Sequence, residues 1–377
     1  MASNIDPTKP TAANPLTVDV RTNFATAAAE ITAVQAAISN VQNQSFAVGI
    51  PAAIVAAANK ATPAAADLFA MTDSAASNAL KNISWTNLTA AMKLALTPVF
   101  DTAQDFRLTV VSSIAVPVVD TVGATTIYCT PYIGNNIALY TGANWVIDTS
   151  AEFSIALSGL TPGLPYDIFC YDVAGVPTLT YQAWLNGTTR LVNLGLVSGV
   201  YVKSGDATRR YLGTFVATSA TTTEDSIANR YVWNYYNRVH RYMERHEVAA
   251  TWNYTTATIR QANANTANQL NFVIGVQEEA LQATLVALAQ NTNTGVTVAV
   301  GIGLDSTTAI AADAIAVPAT TAIANGYVPL IAPYYSFMSQ GVHFLAWLEY
   351  SAAVGTTTWT GTPTTIINAG IMGILQG

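Results

Sequence analysis

The sequence predicts a mainly β protein with an α-helical N-terminal part, in which a short trimeric coiled coil is followed by antiparallel β-sandwich or jelly-roll-like domains. Three observations carry this. Apolar residues between Val20 and Val41 alternate spacings of four and three, the signature of a heptad seam. Beyond about residue 106, short runs rich in β-branched and aromatic residues are separated by Gly, Asn and Pro turns, which reads as many short strands. Of the 377 residues, 51% are hydrophobic and 10% charged, against about 25% charged in an average globular chain. Disorder is thereby excluded, and much of the surface must be neutral.

Every apolar run is cut by Thr, Asn, Gly or Asp before it reaches the roughly 18 residues that a membrane helix needs. No membrane insertion is expected. The start, MASNIDP, has neither the cationic beginning nor the apolar core of a secretory signal, so the chain is expected to fold where it is made. Fifteen Lys and Arg against 22 Asp and Glu give a formal charge of −7, which argues against a nucleic-acid partner. Cys129 and Cys170 both sit in apolar β-like runs and read as buried free thiols rather than a disulfide framework. With few charges to hold copies apart, burial in an oligomer is expected.

Basic residues are absent between Arg107 and Arg190 and after Arg260. With the change in pattern, this divides the chain into an attachment leader and coiled-coil helix (1–45), a small α+β module (46–105), an antiparallel β domain (106–190) and a C-terminal β-sandwich domain (191–377). Pro7, Pro10 and Pro15 keep the leader out of a helix. Thr17 then offers a hydroxyl cap and Asp19 a first-turn carboxylate, so a helix is expected to start near Val18. Along it Phe24, Ile31 and Ile38 take a positions, and Val20, Ala27, Val34 and Val41 take d positions. β-Branched residues at both favour three or four strands over two; the competing reading is an amphipathic helix packed on its own domain. Pro51 and Pro63 bracket an Ala-rich piece (52–60) that reads as a short helix or a linker. Residues 68–71 then read as a strand, 73–78 as a turn and 81–85 as a returning strand, with Thr86 capping a helix through Leu96.

In residues 66–88, DSAASN leads through Lys81 and Trp85 to the capped helix, and this segment is similar to a small module that recurs in bacteriophage tail fibres and related virion proteins. The leader NIDPT, followed by NPLTVDVRTNF, resembles the N-terminal start of such proteins. The resemblance implies that this end attaches to the particle.

Farther on, runs at 126–133, 137–140 and 145–148 are joined by tight turns at 134–136 and 141–144, the spacing of antiparallel hairpins. Runs at 153–157, 166–171 and 178–184 continue the pattern. The last region opens with strands at 200–203 and 209–215 around a turn at 204–207. A long strand is expected over 230–246, with 255–260 pairing back on it. Val296, Val298, Val300 and Ile302 alternate with smaller residues, and in 341–350 the face Val342, Phe344, Ala346, Leu348 and Tyr350 is wholly apolar, a half-buried strand by period. Many strands with such turns argue for a sandwich of jelly-roll type. From Trp145 onward, through LSGLT (157–161), KSGDATRRYLGTF (203–215) and TEDS (223–226) to NYYNR (234–238), the chain resembles a C-terminal domain of uncharacterised phage virion proteins. With the N-terminal segments the resemblance covers most of the chain. It assigns no role to individual residues and implies nothing catalytic.

Few residue groups invite chemistry. His240, Tyr242, Glu244 and His246 would share a strand face with Arg238 beside them, but Arg241 and Arg245 oppose a cation; a polar sheet face or subunit contact is expected, with no metal and no cofactor. The segment GIGLDS (301–306) lacks the third glycine of a dinucleotide fingerprint, and no serine elbow, phosphate loop or zinc-protease motif is present. Cleavage of a glycan needs two carboxylates about 5–10 Å apart. The adjacent pairs Glu224–Asp225 and Glu278–Glu279 would point to opposite faces if they lie on strands. Glu224 and Asp225 fit better as partners of Arg209, Arg210 or Arg230 in ion pairs at a subunit seam. Tyr231, Trp233 and Tyr235 would share one strand face, with Tyr236 and Tyr242 on the other. Such rings can stack on sugars, and a core or trimer-interface role competes.

The function expected from these readings is that of a homotrimeric phage fibre protein, not an enzyme, assembled in the host cytoplasm and located in the virion. Its partners would be two further copies, other virion proteins at the N-terminal end and a host cell-surface glycan. The competing classes are a capsid or tail decoration protein with no receptor role, and a depolymerase of host polysaccharide.

Overall fold

The computed structural model describes residues 15–42, 63–73, 79–100, 103–362 and 367–377. It divides into two units, 1–88 and 89–377, and is mainly β throughout the second. The expected Ala-rich segment at 52–60 and most of the turn at 73–78 lie outside the described residues.

In the first unit, helix α1 spans Pro15–Gln42. It begins three residues before the expected start because proline is tolerated at the first helical position, where its missing N–H has no partner to lose. Strands β1 (Leu68–Asp73) and β2 (Ala79–Ser84) form the expected hairpin in antiparallel register. Helix α2 follows at Trp85–Phe100, beginning in the first unit and continuing into the second. Its cap is Ser84, whose Oγ accepts the Asn87 N–H at 3.2 Å, while Thr86 instead donates to the Ala65 carbonyl.

The second unit holds two large cores separated by one sheet, with a small third cluster of Ala138, Trp145, Val200 and Val202. That sheet runs in the order β10 (Val176–Ala183), β9 (Pro165–Val173), β13 (Asp206–Val216), β12 (Val200–Lys203), β11 (Leu194–Val197), with β16 (Val232–Asn234) also on β13. On one side Ile168, Cys170, Leu212 and Phe215 pack with Phe106, Leu108, Ile127 and Ile137. Those residues come from a three-stranded sheet, β3 (Phe106–Thr109), β5 (Thr126–Pro131) and β8 (Phe153–Ala156), and from the hairpin β6 (Asn136–Tyr140) and β7 (Trp145–Thr149). On the other side Phe169, Tyr211, Val216 and Trp233 join the larger core. Residues alternate faces along a strand, so β9 and β13 serve both cores. Cys129 and Cys170 are free and buried in the smaller core.

The larger core lies between two further sheets. The first runs β23 (Ala319–Thr320), β22 (Thr297–Leu304), β25 (Gly341–Ser351), β20 (Gln269–Ile274), β15 (Asn229–Arg230), β14 (Thr223–Asp225), β4 (Thr121–Ala124), with β19 (Arg260–Gln261) on β25. The second runs β17 (His240–His246), β27 (Gly370–Gln376), β21 (Ala280–Asn291), β26 (Thr357–Thr360), β18 (Thr251–Asn253), and β24 (Val328–Phe337) lines the free edge of β21. Leu281, Ala283, Leu285, Ala287 and Ala289 of β21 face Val298, Val300, Ile302, Leu345 and Trp347 of the opposing sheet. The pairings are antiparallel except β15 with β20.

The boundary expected at residue 190 runs through a single sheet, because β9, which carries β10 on one edge, pairs with β13 on the other. Arg190 itself ties the parts together: its guanidinium meets Asp167 at 2.6 Å and donates to the Gly275 carbonyl and to Gln340. Residues 230–246 are three strands in three sheets rather than one. Asn237, at φ 53°, turns the chain, and its amide donates to the Gln104 and Phe106 carbonyls; asparagine is among the few residues that tolerate this region. Residues 255–260 do not pair back on them; Arg260–Gln261 pairs with β25.

In β25 the core-facing side is opposite to the one expected. Leu345 and Trp347 enter the core with His343 and Glu349, because each polar member of that face has partners: Asp305 for His343, and Trp252 and Arg260 for Glu349. The apolar residues on the other face are covered in part by the loop after β22. There Gly301 and Gly303 leave room for Ile310 and the Ser306 carbonyl, which gives the Gly-x-Gly sequence a packing role.

Candidate functional site

Side chains on the outward face of the second sheet follow from its register. Tyr242 stands opposite Ile374, Ile374 opposite Gln282, and Gln282 opposite Tyr335. Neighbouring strands are about 4.8 Å apart, so these four residues form a row about 14 Å long across β17, β27, β21 and β24. The row beside it holds Glu244, Met372, Thr284 and Pro333. Because the intervening residues face the core, this outer face keeps large apolar groups in solvent. Tyr335 is 68% exposed and Phe337 64%, with Tyr242, Ile331, Met372 and Ile374 also exposed.

A groove of about 380 Å³ lies at one end of this face, lined by His240, Glu278, Glu279, Gln282, Tyr335, Phe337, Ile374 and Gln376. A smaller depression of about 140 Å³ adjoins it and shares Gln282 and Ile374. Glu278 and Glu279 lie in a bend before β21, not on a strand. The alternation expected of them is therefore lost, and both reach one guanidinium: Arg238 meets Glu278 at 2.8 Å and Glu279 at 3.4 Å. Arg238 in turn lies over the rings of Trp233 and Tyr235, and the Tyr235 hydroxyl donates to Glu278 at 3.3 Å. Burial, and next the Glu278 carboxylate, push the Tyr235 phenol above its ordinary range. His240 sits 3.2 Å from the Gln376 amide.

The sequence had singled out His240, Tyr242, Glu244 and His246, and they do share a face with β17 extended. Glu244 pairs with His246 at 2.8 Å, and among the described residues no three His, Cys, Asp or Glu converge as a metal would need. Trp233 is buried and Tyr235 half-buried, in ring contact with Tyr211, Tyr201 and Tyr236, so those rings belong to packing. Tyr335, Phe337 and Gln376 were missed. The signal for Tyr335 and Phe337 was present in 328–337, where apolar residues occupy both strand faces; Gln376 enters only through the pairing of β27 with β17.

The charges expected at a subunit seam are met within the chain. Asp225 accepts from Arg230 at 3.1 Å and from Arg241 at 2.6 Å, and all three side chains are buried. Arg107 completes the cluster by donating to the Gly377 carbonyl at 2.8 Å; burial, and then Arg241, hold its guanidinium down to about 10. Glu224 accepts from Ser226 and Asn229. Arg209 pairs with Asp206 and stacks on Tyr171, and buried Arg210 donates to the Ala103 and Ala138 carbonyls. Of the seven seam residues on α1, Val20, Phe24, Ile31, Val34 and Ile38 are 39–57% exposed and Ala27 is half-buried; the Val41 side chain lies outside the described ones.

Ser339, His343 and Asp305 line up in a way that resembles a nucleophile, base and orienting acid. His343 Nδ1 lies 2.8 Å from Asp305, and its Nε2 3.4 Å from Ser339 Oγ. Nε2 is closer, at 3.0 Å, to the Ser339 carbonyl than to the hydroxyl, so the ring sits against the backbone of the turn. The trio instead clamps the β24–β25 turn to the end of β22.

No family model matches the chain, and no curated protein sequence does. Among solved structures it is similar to the insecticidal delta-endotoxin Cry8Ea1 of Bacillus thuringiensis, at 8% identity over 68% of this chain and 49% of that one, with a TM-score of 0.22. It is also similar to the infectious bursal disease virus Gt strain structure, at 11% identity over 71% and 66% of the two chains, with a TM-score of 0.23. The chain thus spans about half the length of the toxin and 66% of the viral chain. Superpositions this loose carry no argument about function.

Proposed function

We propose that the chain is a homotrimeric fibre protein of a phage virion, held to the particle by its N-terminal part and presenting its β unit for adsorption to the host surface, without catalytic turnover. The observation that carries this reading is the row of apolar heptad residues left in solvent on α1. An isolated helix of this kind is marginal in water, and its spacing and β-branched positions suit two further copies of itself. Full burial of a Val or Ile side chain is worth roughly 1.5–3 kcal/mol. Five exposed seam residues on each of three helices are therefore enough to offset an association cost on the order of 4–15 kcal/mol.

Binding without turnover is supported by the Arg238 clamp, which holds the two groove carboxylates as an ion-pair cluster rather than as a separated acid and base. Three copies of one shallow surface would add avidity to weak single contacts. Light scattering after gel filtration tests the assembly: the full chain should run at three times its 39.6 kDa mass, and a monomer at micromolar concentration would sink the reading.

A further inference from the structure

We propose that the groove from Tyr242 through Ile374 and Gln282 to Tyr335, rimmed by Glu278 and Glu279, binds a neutral glycan chain. This rests on the adsorption reading and names its site and ligand class. The shape suits a chain rather than a single ring: the two depressions share Gln282 and Ile374, and the larger falls within the roughly 300–1,000 Å³ of small-ligand sites. The chemistry suits a polyol. Exposed rings at Tyr242, Tyr335 and Phe337 offer flat apolar faces to sugar C–H groups and, at the tyrosines, a hydroxyl edge. Between them Gln282 and Gln376 both donate and accept, and two carboxylates accept.

The polar groups are held before any ligand arrives. Arg238, over the Trp233 and Tyr235 rings, fixes both glutamates, and Gln376 is held against His240. Less side-chain freedom is then lost on binding. Charge sets the class, because two carboxylates against one guanidinium repel a sulfated or sialylated chain. A second copy of the protein is a poorer occupant. Edge strand β24 carries Pro329 and Pro333, which lack the N–H that strand addition requires, and exposed Gln282 and half-buried Thr284 sit amid its apolar groups.

The test is a glycan array bearing neutral, amino, sialylated and sulfated oligosaccharides, probed with the full chain, Tyr335→Ala and Gln282→Ala, each checked for mass by light scattering. Both substitutions are at exposed positions, so far-ultraviolet circular dichroism should be unchanged. The expected result is binding to neutral glycans, weakened at least tenfold by each substitution with no change in mass. Binding confined to anionic glycans, no binding, or binding indifferent to both substitutions would overturn the site. So would a loss of mass in Tyr335→Ala, which would make this face a contact between copies. A trimer that binds nothing removes the groove and leaves the fibre reading, whereas a monomer that binds neutral glycans does the reverse.

Discussion

Glu349 shows how one residue sets a pH response. Its carboxylate is buried in the larger sandwich, accepting from Trp252 at 2.7 Å and Arg260 at 2.8 Å, and burial pushes it up to about 7. A carboxyl whose folded value exceeds its unfolded one keeps its proton longer when folded. Its contribution to stability is therefore full at acid pH, falls as pH rises from about 4.5 to about 7 and is level above. A rise of that size corresponds to roughly 3 kcal/mol. Denaturant midpoints of the wild type and Glu349→Gln at pH 5 and pH 8 should show a smaller pH difference in the variant; an equal difference would contradict this. At Asp225 the effect is loss of compensation. Asp225→Ala leaves Arg107, Arg230 and Arg241 facing one another with no carboxylate between them, and chemical denaturation should show a cost of about 3–5 kcal/mol. That acids and arginines of the last region would pair was legible in their clustering. That Arg241 would pair with Asp225, and that Arg107 would lie near enough to feel both, was not, since tertiary contacts that no local spacing encodes bring them there.

Among the elements, α1 was the most legible, because period is a local property, although a helix that begins at Pro15 takes Thr17, the expected cap, inside it and leaves Asp19 beyond its first turn. Its start moved only because Pro15 fits the first turn. Its seam yields the sharpest test: Ile31→Asp would place three like charges on one axis in a trimer, with burial disfavouring each. Light scattering should then report a single chain, while circular dichroism keeps its β signal; an unchanged mass would show that Ile31 lies outside the contact. The hairpin of 137–140 with 145–148 was legible for the same reason, its turn being short and marked by Gly and Asn, whereas 126–131 pairs with β3 and β8 instead, so the turn at 134–136 joins two sheets rather than closing a hairpin. Strand β25 was placed correctly but turned the wrong way, since hydropathy ranks His343 and Glu349 as surface residues and cannot see the partners that admit them to the core. The run 230–246 failed through Asn237, whose left-handed backbone is held by Gln104 and Phe106, more than a hundred residues away. Of the groove, His240, Glu278 and Glu279 were legible. The rest needed register, because Tyr335 and Gln376 join it only through pairing with β21 and β17.

At the scale of the whole molecule, low charge and abundant apolar surface point the same way. Besides the seam and the groove, Val118, Val119, Val248, Ile315, Val317 and Ile323 are all well exposed, and large exposed apolar area marks contact surfaces. Within the second unit the two cores share the sheet built on β9 and β13, so the segments expected as separate domains at 106–190 and 191–377 should unfold together. The central claim is that this unit projects from a virion to meet the host. Its most direct test is an image of virus particles purified from the source of the gene, labelled with gold-conjugated antibody against the protein. Label on the outer parts of projecting appendages is the predicted result. Label spread evenly over the shell, as a decoration protein would give, or absent from the particle, would contradict it.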